Sequence, residues 1–381
     1  MLSRRALLAS SLATAAVPGI GRADTAAPPP SGPLPAPPPP PHAVVGEVPE
    51  GMAGNGRRFP TIAAALAAAP DAGTRYNILI GEGTFTEKVI ITRANTAVYG
   101  LGDRQTRIAW DDYSGRAGPD GSALGTRRTA TVTVLAPDVQ LHLLSVINSF
   151  DYLGQVGLPE GDPKKVHDTQ ALALAVSAPA DRFHANNVHL DGWQDTLFVD
   201  SGRAMISDSR ISGSVDFIFG AGMVALSACT IVSRLMPGKP GQGYVCAPST
   251  LKATPYGFVF FDCMLESEGE PFPDGATALA RPWRPTTSFP DGRYGNPDVQ
   301  SACLYLRCQF GDHISGKGFD HMSYNARGGV KAFNEPEDAR FYISGCTGKA
   351  VATIPAHFTA PDVLVAGLTP WKLVGGSDWT L

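Results

Sequence analysis

The chain has 381 residues, with 31 Lys and Arg against 35 Asp and Glu, a formal charge of −4. That balance excludes a general nucleic-acid binder, which carries a basic excess, and a hydrophobic content of 43% excludes wholesale disorder. Charged residues make up only 17%, while 42 glycines and 33 prolines imply many turns and little exposed helix.

The first residues read as an address. Arg4-Arg5 precedes an apolar run at 6–17, and Gly21-Arg22-Ala23 offers small residues at −3 and −1 for a peptidase. Residues 1–23 are therefore expected to be an export signal, and Ser3-Arg4-Arg5 suggests the twin-arginine route. No Cys precedes Cys229, which argues against a lipid anchor, and no later run approaches a membrane span. The mature protein is expected to be a soluble monomer in the periplasm or beyond the cell, with neither nucleic-acid nor membrane partners. Residues 28–41 hold ten prolines in fourteen positions, so 24–43 is expected to be a stiff linker and the folded domain to span 44–381.

An alanine-rich helix is expected at 61–69, between Pro60 and Pro70. Short strands follow in repeating form. Ile206-Ser207-Asp208-Ser209-Arg210-Ile211, Leu226-Ser227-Ala228-Cys229-Thr230-Ile231 and Phe261-Asp262-Cys263-Met264-Leu265 each place a small residue or cysteine between two apolar strands. Cys308 and Cys346 fall in the same slot, and Asn187 is assigned to it in an earlier copy. Asn187 to Ser209 is 22 residues, Ser209 to Cys229 is 20, and later intervals lengthen to 34, 45 and 38. A period near 20 with no helix between strands describes an all-β solenoid, a parallel β-helix, with the early helix covering its open end. Stacking would turn Cys229, Cys263, Cys308 and Cys346 into an interior column of free thiols, because in-register coils present poor disulfide geometry. Cys246 and Cys303 fall outside the slot.

The same period gives a functional geometry. Gln170-Ala171-Leu172-Ala173-Leu174, Gln194-Asp195-Thr196-Leu197-Phe198 and Asp216-Phe217-Ile218-Phe219 are three apolar strands opened by an amide or a carboxylate. Asp195 to Asp216 is 21 residues, one coil, so the polar heads should align about 4.8 Å apart. Unpaired carboxylates among aromatics would be costly to bury, and Arg281 supplies a counter-ion.

These motifs resemble the pectinesterases (carbohydrate esterase family 8). Gly83-Thr84-Phe85-Thr86-Glu87 is similar to G-x-Y-x-E, Gln170 to Leu174 to Q-A-V-A-L and Gln194 to Leu197 to Q-D-T-L. Asp216 to Gly220 is similar to D-F-I-F-G, and Leu279-Ala280-Arg281-Pro282-Trp283 to L-G-R-P-W with one Gly replaced by Ala. The five occur in family order. The resemblance implies a right-handed parallel β-helix and hydrolysis of galacturonate methyl esters in pectin to carboxylate and methanol. By the same resemblance Asp216 is the nucleophile, Arg281 its ionic partner and Asp195 the acid and base. Gln170 and Gln194 donate to the oxyanion, and Trp193, Phe217 and Trp283 stack on sugar. No cofactor and no metal are implied. His184 and His189 lie five apart, a poor spacing for a shared metal on a strand. Three other readings stand beside this one: a related esterase or thioesterase on a non-pectin substrate, a lyase-like β-helix, and a non-catalytic sugar-binding solenoid. The first draws on the long segments 149–169 and 285–302, which could reach over a polymer groove.

Overall fold

Between Leu197 and Ile218 the chain makes one full turn and returns beside itself. Leu197 pairs with Ile218 and Phe198 with Phe219 in parallel register. The turn consists of the strands Leu197–Val199, Arg203–Ser207 and Arg210–Gly213, after which Val215–Gly220 opens the next coil. Alternation divides the side chains. Leu197, Val199, Ala204, Ile206 and Ile211 enter the interior, while Phe198 joins a separate apolar cluster on the outside. Each large interior side chain contributes about 1.5–3 kcal/mol by burial, so the stack is a continuous core. In the computed structural model, which describes residues 39–239, 241 and 243–375, this coil repeats along the chain. The result is a parallel β-helix, and its seven-stranded face runs through Val89–Ile91, Val132–Val134, Leu174–Val176, Leu197–Val199, Val215–Gly220, Gly243–Pro248 and Thr277–Ala280. The expected export signal and most of the expected linker lie outside the described residues.

The corner between two of the strands explains the repeat and corrects its alignment. His189 pairs with Arg210, which sets Val188, not Asn187, level with Ser209. Asn187 instead matches the corner residues Asp208, Ala228, Asp262 and Arg307, all with φ between 48° and 56°. The left-handed corner turns the chain inward at the next residue, and Ser209, Cys229, Cys263, Cys308 and Cys346 occupy that inward slot. Each Sγ of Cys229, Cys263 and Cys308 donates to a carbonyl of the preceding coil, from Ile206, Leu226 and Phe260 respectively. Cys263 lies within hydrogen-bond reach of both Cys229 and Cys308, and Cys308 of Cys346, forming the expected column. All six cysteines are free, and Cys246 meets Cys303 across the interior.

The N-terminal helix spans Ile62–Ala67, shorter than the expected 61–69. Thr61 Oγ1 caps it by accepting from Ala64 N at 3.0 Å. The Glu87 carboxylate accepts from Ile62 N at 3.0 Å and Ala63 N at 3.2 Å, satisfying two more orphan donors. Glu87 of the G-x-F-x-E motif is thus a helix cap here. Ile62 and Ala65 enter the core beside the first coil. Regular pairing starts at Ala43, one residue ahead of the expected domain start, and His42 N already donates to Asn77 O at 2.9 Å. At the other end two short helices, Asp362–Val365 and Pro370–Val374, lie on the outer face, where Leu373 and Val374 cover Ala225, Val259 and Leu304. No helix among the described residues is long and apolar enough to cross a membrane.

Candidate active site

The site begins where the coil enters its seven-stranded face. Asp195 stands two residues before Leu197 and Asp216 two before Ile218, so the Leu197–Ile218 pairing sets the two aspartates level on adjacent coils. Asp195 N donates to Val215 O at 3.1 Å. Both aspartates hold left-handed backbone, with φ of 66° and 50°. Aspartate tolerates that region better than most side chains, and residues held there concentrate at functional sites. At Asp216 the register shifts between Val215 and Ile218, a bulge that turns its side chain outward.

Arg281 follows the strand Thr277–Ala280, two strands along the face, and its side chain reaches back across Gly243–Pro248. Its Nε donates to Asp216 Oδ1 at 2.8 Å and its Nη2 to Oδ2 at 2.5 Å, a bidentate fork. Among the described residues Asp195 has no such partner. Burial pushes its pKa well above the usual carboxylate range, the charge on Asp216 adds to that, and Arg281 opposes both. The pair therefore divides into a carboxylate forked by Arg281 and a buried carboxyl that favours its proton.

The two amides lie beside this pair. The Thr169 hydroxyl donates to Gln194 Oε1 at 3.2 Å, which aims the Gln194 amide N–H groups away from that contact. Gln170 Oε1 is buried with no partner among the described residues, an orphan polar group of the sort that functional sites carry. Gln170, Gln194, Asp195, Asp216, Arg281 and Trp283 all line one cleft of about 1100 Å³. The hairpin Thr286–Phe289 with Gly292–Gly295 contributes Thr286, Thr287 and Arg293 to one wall, whereas the segment 149–169 contributes no lining residue.

With this geometry in place, comparison with known proteins is decisive: the model of the Pectinesterase family matches residues 50–289. The chain belongs to the pectinesterase family. It is a carboxylic ester hydrolase, and four of the five family motifs read from the sequence contribute residues to the cleft, the first capping the N-terminal helix instead. It is 37% identical to Pectinesterase A of Dickeya chrysanthemi over 329 residues, 86% of this chain and 89% of that protein. The pectin methylesterase of Erwinia chrysanthemi superposes with a TM-score of 0.83 at 36% identity, over 89% of this chain and 98% of that one. A pectin methylesterase in complex with a hexasaccharide matches with the same TM-score, identity and coverage. The pectin methylesterase of Yersinia enterocolitica gives 0.80 at 34% identity, over 85% of this chain and 100% of that one. The right-handed parallel β-helix is the fold of all of them.

Two of the three expected aromatic contacts need correction in this pectinesterase. Phe217 is fully buried in the solenoid interior, because the bulge at Asp216 sends both Phe217 and Ile218 inward. Trp193 does not line the cleft. Its ring stacks against Tyr152 at 5.8 Å and lies under the Arg234 guanidinium at 4.1 Å. Trp283 does line the cleft, meeting Phe219 edge-on at 5.6 Å, and Phe219 stacks on Phe198 at 4.7 Å. Phe198 and Phe219 went unrecognised in the sequence, although their alternation with the inward Leu197 and Ile218 marks them as outward. Arg127 adds charge to this floor, packing over Phe198 at 5.3 Å and pairing with Asp200 at 3.1 Å. Ala280, where the family motif has glycine, is fully buried and its Cβ belongs to the core cluster. Among the described residues no group of three or more His, Cys, Asp or Glu side chains is placed to hold a metal.

Proposed function

We propose that this pectinesterase demethylates galacturonate units of pectin through an acyl-enzyme on Asp216. An Asp216 oxygen attacks the ester carbonyl carbon, and the tetrahedral oxyanion is met by amide N–H groups of Gln194 and Gln170. As the C–O bond to methoxide breaks, Asp195 delivers its proton and methanol leaves. Asp195 then takes a proton from water, whose oxygen attacks the anhydride carbonyl, releasing the galacturonate carboxyl group and restoring Asp216. Arg281 holds Asp216 oriented through its bidentate fork in both halves. Trp283, Phe219 and Phe198 offer an apolar floor for the sugar rings. The observation that carries this reading is the unequal treatment of two level aspartates, one forked by Arg281 and one buried without a cation of its own.

The reading includes methyl-esterified homogalacturonan as the partner, and an exported monomeric enzyme in the periplasm or medium that contacts neither membrane nor nucleic acid. The arginine pair and small-residue site near the N-terminus support export. The test is methanol release from esterified pectin, with and without chelator, for wild type and Asp216→Asn. Chelator-insensitive release that disappears in the variant supports the reading. Release that requires calcium, or an active variant, would overturn it.

A further inference from the structure

Arg281 has a long way to reach. It leaves the Thr277–Ala280 strand and crosses the Gly243–Pro248 strand before meeting Asp216, two strand spacings or roughly 9–10 Å away. An arginine stem with four rotatable bonds does not hold a bidentate fork across that span unaided.

The intervening strand supplies a support. Tyr244 is paired with Val215 on one side and Ala278 on the other, beneath the path of the side chain. Its ring lies under the Arg281 guanidinium, 3.9 Å from centroid to Cζ, close enough for a cation–π contact. The Tyr244 hydroxyl donates to Asp320 Oδ2 at 3.3 Å. Asp320 is anchored in turn. Its own N donates to Ala280 O at 3.0 Å, and its Oδ1 accepts from His321 N at 2.9 Å. Since Ala280 precedes Arg281, the contacts close into a circuit that runs from Arg281 to Tyr244, on to Asp320 and back through Ala280.

We propose that Tyr244 and Asp320 are positioning residues, which hold the Arg281 guanidinium flat and thereby fix the carboxylate of Asp216. The inference rests on the reading of Asp216 as nucleophile. A nucleophile needs alignment as well as charge, and small misplacement of an attacking oxygen is costly in rate. Neither Tyr244 nor Asp320 lines the cleft, so their effect falls on the chemical step and leaves substrate binding alone.

The test is steady-state methanol release from esterified pectin, with Asp216→Asn as reference. Tyr244→Leu, which removes the platform, should lower kcat about tenfold or more while KM stays within about twofold. Tyr244→Phe keeps the ring and should lose only about two- to fivefold in kcat, and Asp320→Ala should lose a similar amount. The decisive comparison is the double variant. Because Asp320 acts only through the Tyr244 hydroxyl, Asp320→Ala should have no further effect in a Tyr244→Phe background. That pair keeps the ring volume, so it carries the test even where Tyr244→Leu does not fold. A raised KM with unchanged kcat in Tyr244→Leu would overturn the inference by making Tyr244 a substrate contact. Additive losses in the double variant would overturn it by separating Asp320 from Tyr244. Unaltered tyrosine variants beside an inactive Asp216→Asn would refute the inference alone. An active Asp216→Asn would refute the nucleophile reading and this inference with it.

Discussion

Asp195 and Asp216 sit level on adjacent coils, both in left-handed backbone, yet only Asp216 is gripped by Arg281. One coil of solenoid thus brings two identical side chains together, and the next two strands supply the asymmetry that gives them different chemistry. The asymmetry has measurable consequences.

Replacing the ionisable carboxyl at Asp195 should separate stability from activity. Its folded-state pKa is raised, so its contribution to stability is complete at low pH and is lost as pH rises through the folded value. At neutral pH Asp195→Asn should therefore raise Tm by a few degrees while methanol release falls about a hundredfold or more. In wild type kcat/KM should decline with rising pH as Asp195 loses its proton. Thermal melts and pH–rate profiles check both; an Asn variant no more stable than wild type at pH 7 would remove the account of Asp195 as a carboxyl destabilised by burial.

The fork between Arg281 and Asp216 depends on planar geometry as well as charge. Arg281→Lys keeps the charge but offers one donor point in place of two, and kcat should fall about tenfold or more. Kinetics equal to wild type would show that charge alone suffices.

Gln194→Leu removes an N–H donor from the face of the developing oxyanion. Its kcat should drop about a hundredfold with KM nearly unchanged. Thr169→Val, which frees the Gln194 amide to flip, should produce a smaller loss of the same kind. An effect confined to KM would take Gln194 out of the oxyanion contact.

The two phenylalanines of Asp216-Phe217-Ile218-Phe219 should fail differently. Phe217→Ala empties a fully buried core site and should cost about 3–5 kcal/mol in denaturant unfolding. Phe219→Ala lies on the cleft floor and should raise KM severalfold with a smaller stability loss. Equal behaviour of the two would contradict the bulge at Asp216.

Acid should weaken the fold through one buried and one half-buried histidine, His184 and His142. Burial lowers His142 to about 4 and His184 to about 3, and their rings meet edge-on at 5.5 Å. Below the ordinary histidine pKa of about 6.5 the unfolded chain binds protons that the folded chain refuses. Stability should be fully present above that value and fall between about pH 6.5 and 3. His184→Gln should flatten the low-pH loss of Tm, and an unchanged slope would assign the loss to other groups.

Much of this protein was legible in order and spacing alone. A period near 20, set by how many residues one coil consumes, identified the β-helix and placed Asp195 beside Asp216. Four of the five family motifs supplied polar residues that line the cleft, and an inward slot every coil predicted the cysteine column. These features are local or repeat at a fixed interval, so sequence distance converts directly into space. What depends on a break in that conversion was decided by the tertiary structure. The bulge at Asp216 turned Phe217 from a cleft residue into a core residue and left Phe219 as the floor. Tyr152 and Arg234, 41 residues before and after Trp193, took up that ring. The left-handed corner shifted the repeat by one at Asn187, since alternation resets wherever φ changes sign. Tyr244 and Asp320 carry no motif at all. They meet Arg281 because insertions of unequal length bring three distant segments to one end of the same sheet, and no periodicity records where such insertions return.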